Sequence, residues 1–83
     1  MNNLDAELEV HHVLDATGLV CPLPVVKASE AMTHLRVGQV LKVLATDPAA
    51  KEDLTIWAEK FGHEVLLMVE KSGVIYCYLK KKR

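Results

Sequence analysis

Hydrophobic and polar positions repeat along the chain with two different spacings, which together predict four strands and two helices. From 40 to 46, Leu41, Val43 and Ala45 form one apolar face and Lys42 lies on the other, which is typical of a strand with one buried face. Ser72-Gly73 separates two such segments and suits a tight hairpin. We therefore expect strands at residues 11–15, 40–46, 64–71 and 74–80.

The alternation also assigns the two faces of the predicted hairpin. The positions expected to face the core are Val65, Leu67, Val69, Ile75, Cys77 and Leu79. The opposite face of the sheet then mixes apolar with charged side chains and is open to solvent or to a partner. Its expected members are Leu44, Leu66, Met68, Tyr76, Tyr78, Lys42, Glu64, Glu70 and Lys80.

Two segments carry apolar residues at helical spacing. The first runs from Pro24 to Arg36, and Gly38 follows where a helix commonly ends. Asp47-Pro48 opens the second, with Asp47 as a cap and Pro48 at the first helical position, and Gly62 closes it. The expected buried stripe of this second helix is Ala50, Leu54, Trp57, Ala58 and Phe61.

The element order is thus strand, helix, strand, helix, strand, strand. A chain of 83 residues supports one domain with a small core, which two helices can cover from one face of a sheet. We expect an α/β (α+β) two-layer sandwich, in which a four-stranded mixed sheet carries two helices on one face. Residues 1–10 form a flexible N-terminal segment in this interpretation, and 11–83 form the domain.

Composition narrows the functional classes. Hydrophobic residues make up 51% and aromatic residues only 5%, which indicates an aliphatic core rather than disorder. No stretch is long enough to span a membrane, and the acidic beginning is not a secretory signal, so we expect a cytoplasmic protein with reduced thiols. The basic run Lys80 to Arg83 is expected to be a solvated tail, and the alternative is that it steers acidic proteins or RNA by long-range attraction. Few other basic residues are present, so direct nucleic-acid binding is not expected.

Cys21 lies between two prolines at the predicted start of the first helix. Pro24 fits the first helical position, and Pro22 restrains the residue before it. Gly18 supplies a loop that can take unusual backbone angles. This geometry predicts that Cys21 lies at the positive end of the helix dipole, near the unpaired amides of Leu23 and Val25. Such a place favours the thiolate, so we expect a pKa below the ordinary value for a thiol.

Other kinds of site fit the sequence less well. Cys77 is far from Cys21 in the sequence and lies on the same face of the predicted last strand as Ile75 and Leu79, which are apolar. This indicates a buried and inert thiol rather than a redox partner. The four histidines lack the spacing of metal ligands, and the acidic pair Glu52-Asp53 is expected on a solvated surface. A single activated thiol in so small a domain is typical of a carrier that holds a group for larger enzymes.

The segment Leu14-Asp15-Ala16-x-Gly18-Leu19-x-Cys21-Pro22-x-Pro24 resembles the TusA/SirA family of sulfur-carrier proteins. The resemblance runs from about Val13 to the end of the chain. It includes Val37-Gly38, Thr46-Asp47-Pro48-Ala49 and Gly62-His63.

The family resemblance implies that Cys21 carries a persulfide and that no cofactor or metal other than this covalent sulfur is needed. The donor would be a cysteine desulfurase or a rhodanese-like protein, and the acceptor a downstream relay protein. Pathways with such carriers include tRNA 2-thiouridine formation, sulfur oxidation, and molybdenum-cofactor or selenium metabolism. The carrier is not expected to turn over substrate alone. Asp47 matches an acidic position important to partner contacts, although a plain helix cap explains it equally well.

The residues expected to touch partners surround Cys21, and they are Leu19, Val20, Leu23 and Lys27. Leu23 stands where a common version of the motif is acidic, and Ser29 stands where some tRNA-thiolation members have Arg. Two other functional classes remain open at this point. One is a regulatory or interaction adaptor whose Cys21 is structural or redox-sensing, and the other is a metallochaperone, which the histidine spacing disfavours.

Overall fold

The computed structural model describes residues 9–83, so most of the expected flexible segment 1–10 lies outside the described residues. Within that range the elements occur in the expected order. They are β1 His12–Ala16, α1 Leu23–Met32, β2 Val40–Ala45, α2 Ala50–Phe61, β3 Glu64–Lys71 and β4 Val74–Lys80.

The strands form one mixed sheet with the order β1-β2-β4-β3. β1 and β2 are parallel, whereas β4 is antiparallel to both of its neighbours. Both helices pack on the same sheet face, which confirms the two-layer sandwich. Because the carboxyl ends of parallel strands meet at one edge, the loops after β1 and β2 are brought together there.

An aliphatic core fills the space between the helices and the sheet. α1 contributes Pro24, Ala28 and Met32, spaced so that they lie on one side of the helix. Cys77 lies in the middle of the core, as its parity predicted. Phe61 is an exception, because it is more than half exposed at the last residue of α2 rather than buried in the stripe.

α1 ends one turn earlier than the sequence predicted, at Met32 instead of Arg36. A lysine from the far end of the chain satisfies two carbonyl groups at and just after this helix end. Lys81 Nζ donates hydrogen bonds to the carbonyl oxygens of Met32 and Leu35, at 3.0 and 2.6 Å. Gly38 therefore does not end the helix; it lies in the turn before β2, where its N–H donates to the Lys81 carbonyl at 2.7 Å.

The C-terminal basic run is consequently not a solvated tail. Lys80 is the last residue of β4, and Lys81 binds the end of α1. The Lys82 N–H donates to Nδ1 of His63 at 3.2 Å, and its ammonium lies 3.6 Å from Glu64. The expectation failed because charge composition alone does not show which carbonyl groups need a donor.

The hairpin forms as predicted, but a β-bulge changes which residues of β3 face the core. Val65 pairs with Leu79, and Leu67 pairs with Tyr78, the residue adjacent to Leu79 in β4. Leu66 is therefore the extra residue. Beyond the bulge the parity is inverted, and Met68 lies opposite Cys77 and packs on the core. The predicted inward positions of Leu67 and Val69 are therefore wrong, because strict alternation assumed an unbroken strand.

The open face of the sheet is partly closed by its own side chains. Lys42 Nζ lies 5.6 Å from the ring centroids of both Tyr76 and Tyr78, a distance that suits a cation–π contact. Tyr78 is only 2% exposed although it is on this face. The open surface is thus less apolar than the alternation predicted.

Candidate functional site

Two loops at the carboxyl edge of the parallel strands meet and hold each other. The loop after β1 carries Gly18 and Cys21, and the loop after β2 carries Thr46 and Asp47. The Gly18 N–H donates to Thr46 Oγ1 at 2.8 Å, and the Cys21 N–H donates to Asp47 Oδ2 at 2.7 Å. The backbone around Cys21 is therefore positioned by residues of the second loop.

The loop after β1 has a turn that only glycine accommodates easily. Asp15 Oδ1 accepts hydrogen bonds from the Thr17 N–H and hydroxyl, at 3.0 and 2.7 Å, which lowers the pKa of Asp15. Gly18 follows with φ of 82°, in the left-handed region. The chain then turns back, and the Leu19 N–H donates to the Ala16 carbonyl at 3.2 Å.

Cys21 lies just before α1, as the two prolines predicted. The Cys21–Pro22 peptide bond is cis, and Pro24 occupies the second helical position rather than the first. The Leu23 N–H donates to the Val20 carbonyl at 2.9 Å. This amide is therefore occupied, and the expectation that it lies free beside the sulfur is wrong.

The thiol of Cys21 has a carboxylate partner, Asp53, which was expected on a solvated surface but is half-buried. Cys21 Sγ donates a hydrogen bond to Asp53 Oδ2 at 2.9 Å. Asp53 lies in the first turn of α2, where its N–H donates to the Ala49 carbonyl at 3.0 Å. The available signal was topological, since a helix that follows a parallel neighbouring strand begins at the same edge as the Cys21 loop.

Asp47 joins the two loops instead of capping α2. Its Oδ2 accepts from the Cys21 N–H, and its Oδ1 accepts from the Ala49 N–H at 3.1 Å. These two bonds lower the pKa of Asp47. The N-cap residue of α2 is Ala49, so the prediction of Asp47 as a helix cap, with Pro48 as the first helical residue, is wrong.

The surroundings of Cys21 raise the pKa of its thiol above the ordinary value. The largest cause is the hydrogen bond to Asp53, followed by desolvation and by the negative charges of Asp53 and Asp47. A carboxylate that accepts the S–H proton stabilises the thiol, whereas the thiolate would lose this bond and meet two like charges. The predicted lowering of the pKa is wrong, because it considered the helix start without the carboxylates of the second loop.

Three exposed apolar side chains lie near Cys21 in the chain, and we call them the apolar rim. They are Val20, Leu23 and Val26, which are 65%, 41% and 43% exposed. Val26 was not singled out from the sequence, although it follows Leu23 by three residues on the same helical face.

The other predicted contact residues are placed differently from the apolar rim. Leu19 is half-buried and packs partly on the core. Lys27 is exposed, and its ammonium lies 3.9 Å from Glu30 on the same helix.

Cys77 shows the properties of an inert thiol. It has 0% exposure in the core, and burial raises its pKa to about 12. Both cysteines are free.

Residues 9–83 lack two further features, a metal-binding cluster and a membrane-spanning helix. No group of three or more His, Cys, Asp or Glu side chains there is arranged to hold a metal ion. Neither described helix has the length and apolar character needed to cross a bilayer.

The fold and the Cys21 loop have counterparts among known proteins. The family described as "Sulfurtransferase TusA" matches residues 12–81. Sulfur carrier protein TusA of Pseudomonas putida (strain GB-1) is 41% identical over 70 residues, which cover 84% of this chain and 88% of that protein. The corresponding protein of Allochromatium vinosum is 40% identical over 68 residues, which cover 82% and 90%.

A solved structure and two longer proteins add to the comparison. The crystal structure of a SirA-like protein from Desulfitobacterium hafniense superimposes with a TM-score of 0.78 at 32% identity, and the match covers 88% of this chain and 100% of that one. The chain spans only 34% of a relative from Aquifex aeolicus and 37% of one from Bacillus subtilis, at 46% and 42% identity.

Proposed function

This chain belongs to the TusA family of sulfurtransferases, and we propose that it carries sulfane sulfur as a persulfide on Cys21. The observation that carries the proposal is the contrast in exposure between its two free thiols. Cys21 is exposed on a loop that is held by hydrogen bonds to the neighbouring loop, whereas Cys77 is buried in the core. A partner's sulfur can therefore approach Cys21 but cannot approach Cys77 without unfolding of the domain.

The transfer step needs no cofactor held by this chain. The Cys21 thiolate attacks the terminal sulfur of a donor persulfide and forms a new S–S bond. The S–S bond of the donor breaks, and its electron pair leaves on the donor's cysteine as a thiolate. The same exchange in the opposite sense passes the sulfur to an acceptor thiolate.

The proposed donor is a cysteine desulfurase or a rhodanese-like protein, and the proposed acceptor is a further carrier in a sulfur relay. The apolar rim supports this role, because exposed apolar side chains around a reactive group commonly mark a contact site. The relay would serve tRNA 2-thiouridine formation, sulfur oxidation, or molybdenum-cofactor or selenium metabolism. Leu23, in place of an acidic residue, makes the rim apolar and so favours an acceptor with an apolar contact surface.

The experiment is intact-mass analysis after incubation with a cysteine desulfurase and cysteine. The wild-type chain and Cys77→Ser should each gain one sulfur atom, and Cys21→Ser should gain none. Reduction with dithiothreitol should return the original mass, because a persulfide sulfur is reducible. Loading of Cys21→Ser to the wild-type level would contradict the proposal.

The exposure of Cys21 bears on the alternative of an adaptor. A buried structural cysteine is inconsistent with the exposed thiol, which leaves redox sensing as the adaptor's chemistry. A redox-sensing adaptor would gain no sulfur from the desulfurase. It would instead form a mixed disulfide or a sulfenic acid with oxidants, which the same mass measurement distinguishes.

A further inference from the structure

The hydrogen bond between Cys21 and Asp53 opposes the chemistry proposed for Cys21. A sulfur-accepting cysteine reacts as the thiolate, yet Asp53 Oδ2 accepts the thiol proton at 2.9 Å. Asp47 adds a second carboxylate, 2.7 Å from the Cys21 nitrogen. The Asp47 carboxylate is held by the Ala49 amide, and the backbone of Asp53 is fixed in the first turn of α2 by its own bond to the Ala49 carbonyl. The arrangement is therefore a built feature of the site, and the carrier role alone does not require it.

We propose that Asp53 is a positioning residue that keeps Cys21 protonated in the free carrier, and that a productive partner releases the thiolate by placing a cationic group beside Asp53 and Asp47. The proposal rests on the carrier function proposed above and specifies the partner's chemistry. Such a partner surface combines an apolar area, which covers Val20 and Leu23, with an Arg or Lys side chain directed at the carboxylates.

The charges around Cys21 show why the cation comes from outside. Within residues 9–83, the charged groups that shift the pKa of Cys21 are Asp53 and Asp47, and both are negative. Lys27, the basic residue nearest to Cys21 along the helix, lies 3.9 Å from Glu30 and is partly neutralised by it. An approaching cation would weaken the carboxylate as a proton acceptor and favour the thiolate, which makes activation dependent on the correct partner.

The proton and the electrons balance in this scheme. When the cation arrives, the Cys21 proton leaves for solvent and the Cys21 thiolate attacks the terminal sulfur of the donor persulfide. The donor's S–S bond breaks, its electron pair stays on the donor thiolate, and that thiolate takes up a proton from solvent. The transferred sulfur keeps its oxidation state, so neither an oxidant nor a reductant is consumed.

The same carboxylates also lie near the sulfur of the loaded carrier. Sγ of a persulfide carries no proton, so the hydrogen bond to Asp53 is lost. The anionic terminal sulfur then lies near two carboxylates and is repelled by them. Asp53 thus makes the empty carrier slow to react on its own, and after discharge it can accept the thiol proton of Cys21 again.

The first test measures the rate of Cys21 alkylation by iodoacetamide against pH, without any sulfur donor. Asp53→Asn should move the midpoint to lower pH and raise the rate at pH 7 roughly threefold to tenfold. Glu52→Gln is the matched control, because it removes a charge from the neighbouring residue and has an exposed side chain. An unchanged profile in Asp53→Asn, with a native circular-dichroism spectrum, would overturn the proposal, as would an equal shift in Glu52→Gln.

The second test uses small disulfides of different charge as stand-ins for the partner. Relative to the rates of free glutathione with the same reagents, which corrects for their leaving groups, exchange of wild-type Cys21 should be fastest with cationic cystamine, slower with neutral hydroxyethyl disulfide and slowest with anionic dithiodipropionate. In Asp53→Asn the differences between the three exchange rates should become smaller. Equal wild-type rates would overturn the cationic-partner half of the proposal, even if the variant failed to fold. Neither test involves a persulfide, so a failure of the carrier function would appear only in the mass experiment.

Discussion

The two cysteines of this chain have thiols whose pKa values are raised for different reasons. At Cys21 the largest cause is one hydrogen bond, to Asp53, on an exposed loop. At Cys77 the cause is burial in the core, which raises the pKa to about 12. A partner can neutralise a carboxylate, but it cannot expose Cys77 without opening the sheet and helices around it. The comparison shows that a raised pKa does not by itself mark an inert thiol, because the cause decides whether it can be reversed.

The largest expected difference between the two thiols is their access to reagents. In the native protein, iodoacetamide should modify Cys21 faster than Cys77 by a factor of at least about 100, because Cys77 reacts only through rare opening of the core. Peptide mapping by mass spectrometry after brief labelling measures both sites. In urea the two sites should label at similar rates. Comparable labelling in the native state would contradict the burial of Cys77.

Substitution of the two cysteines should affect stability in the opposite order, with the larger effect at Cys77. Cys77→Ser should lower the free energy of unfolding by about 1–3 kcal/mol, because a hydroxyl enters an apolar site. Cys21→Ser should stay within about 0.5 kcal/mol of the wild type, because its side chain is exposed. Urea denaturation measures both values. A larger loss in Cys21→Ser than in Cys77→Ser would reverse the roles assigned to the two residues.

The stability of the protein should also fall at alkaline pH because of Cys77. The folded-state pKa is about 12 and the ordinary value is 9.0, so the unfolded chain loses its proton first as the pH rises. The stabilisation is complete below about pH 9 and is lost as the pH approaches 12, with a slope of at most about 1.4 kcal/mol per pH unit. Urea denaturation at several pH values tests this. In Cys77→Ala the free energy of unfolding should fall less steeply between about pH 9 and 12, because the contribution of the thiol is removed. An identical slope in Cys77→Ala would assign the pH dependence to other groups.

The apolar rim gives the smallest and most specific effect. Leu23→Glu should slow sulfur transfer with a cognate donor or acceptor severalfold while leaving stability nearly unchanged, because an added charge must be desolvated in the interface. Val37→Glu is the matched control. Val37 is an exposed apolar residue in the turn before β2, at the opposite end of that strand from the Cys21 loop. Equal transfer rates for Leu23→Glu and Val37→Glu would show that the rim is not a contact surface.

The elements were predictable because their signals are local. Ser72-Gly73 has positive φ angles of 52° and 79°, as a tight hairpin requires, and its two strands have the predicted bounds. Gly62 closes α2 in the left-handed conformation, with φ of 76°. The bulge at Leu66 was not predictable in this way. The pattern of apolar residues along β3 does not show how β3 pairs with β4, and the extra residue exists only in that pairing.

Sequence patterns were enough to predict the order of the elements, the placement of Cys21 before α1 and the burial of Cys77, because periodicity and proline geometry act over a few residues. The electrostatics of the site, in contrast, follow from the three-dimensional arrangement of distant segments. Asp53 is 32 residues from Cys21, and the two meet because β1 and β2 pair in parallel and bring their following loops to one edge. Likewise, Lys81 is 49 residues from Met32, the last residue of α1, and donates a hydrogen bond to its carbonyl. Such contacts depend on where the sheet places distant segments, whereas the helices and strands depend on neighbours along the chain.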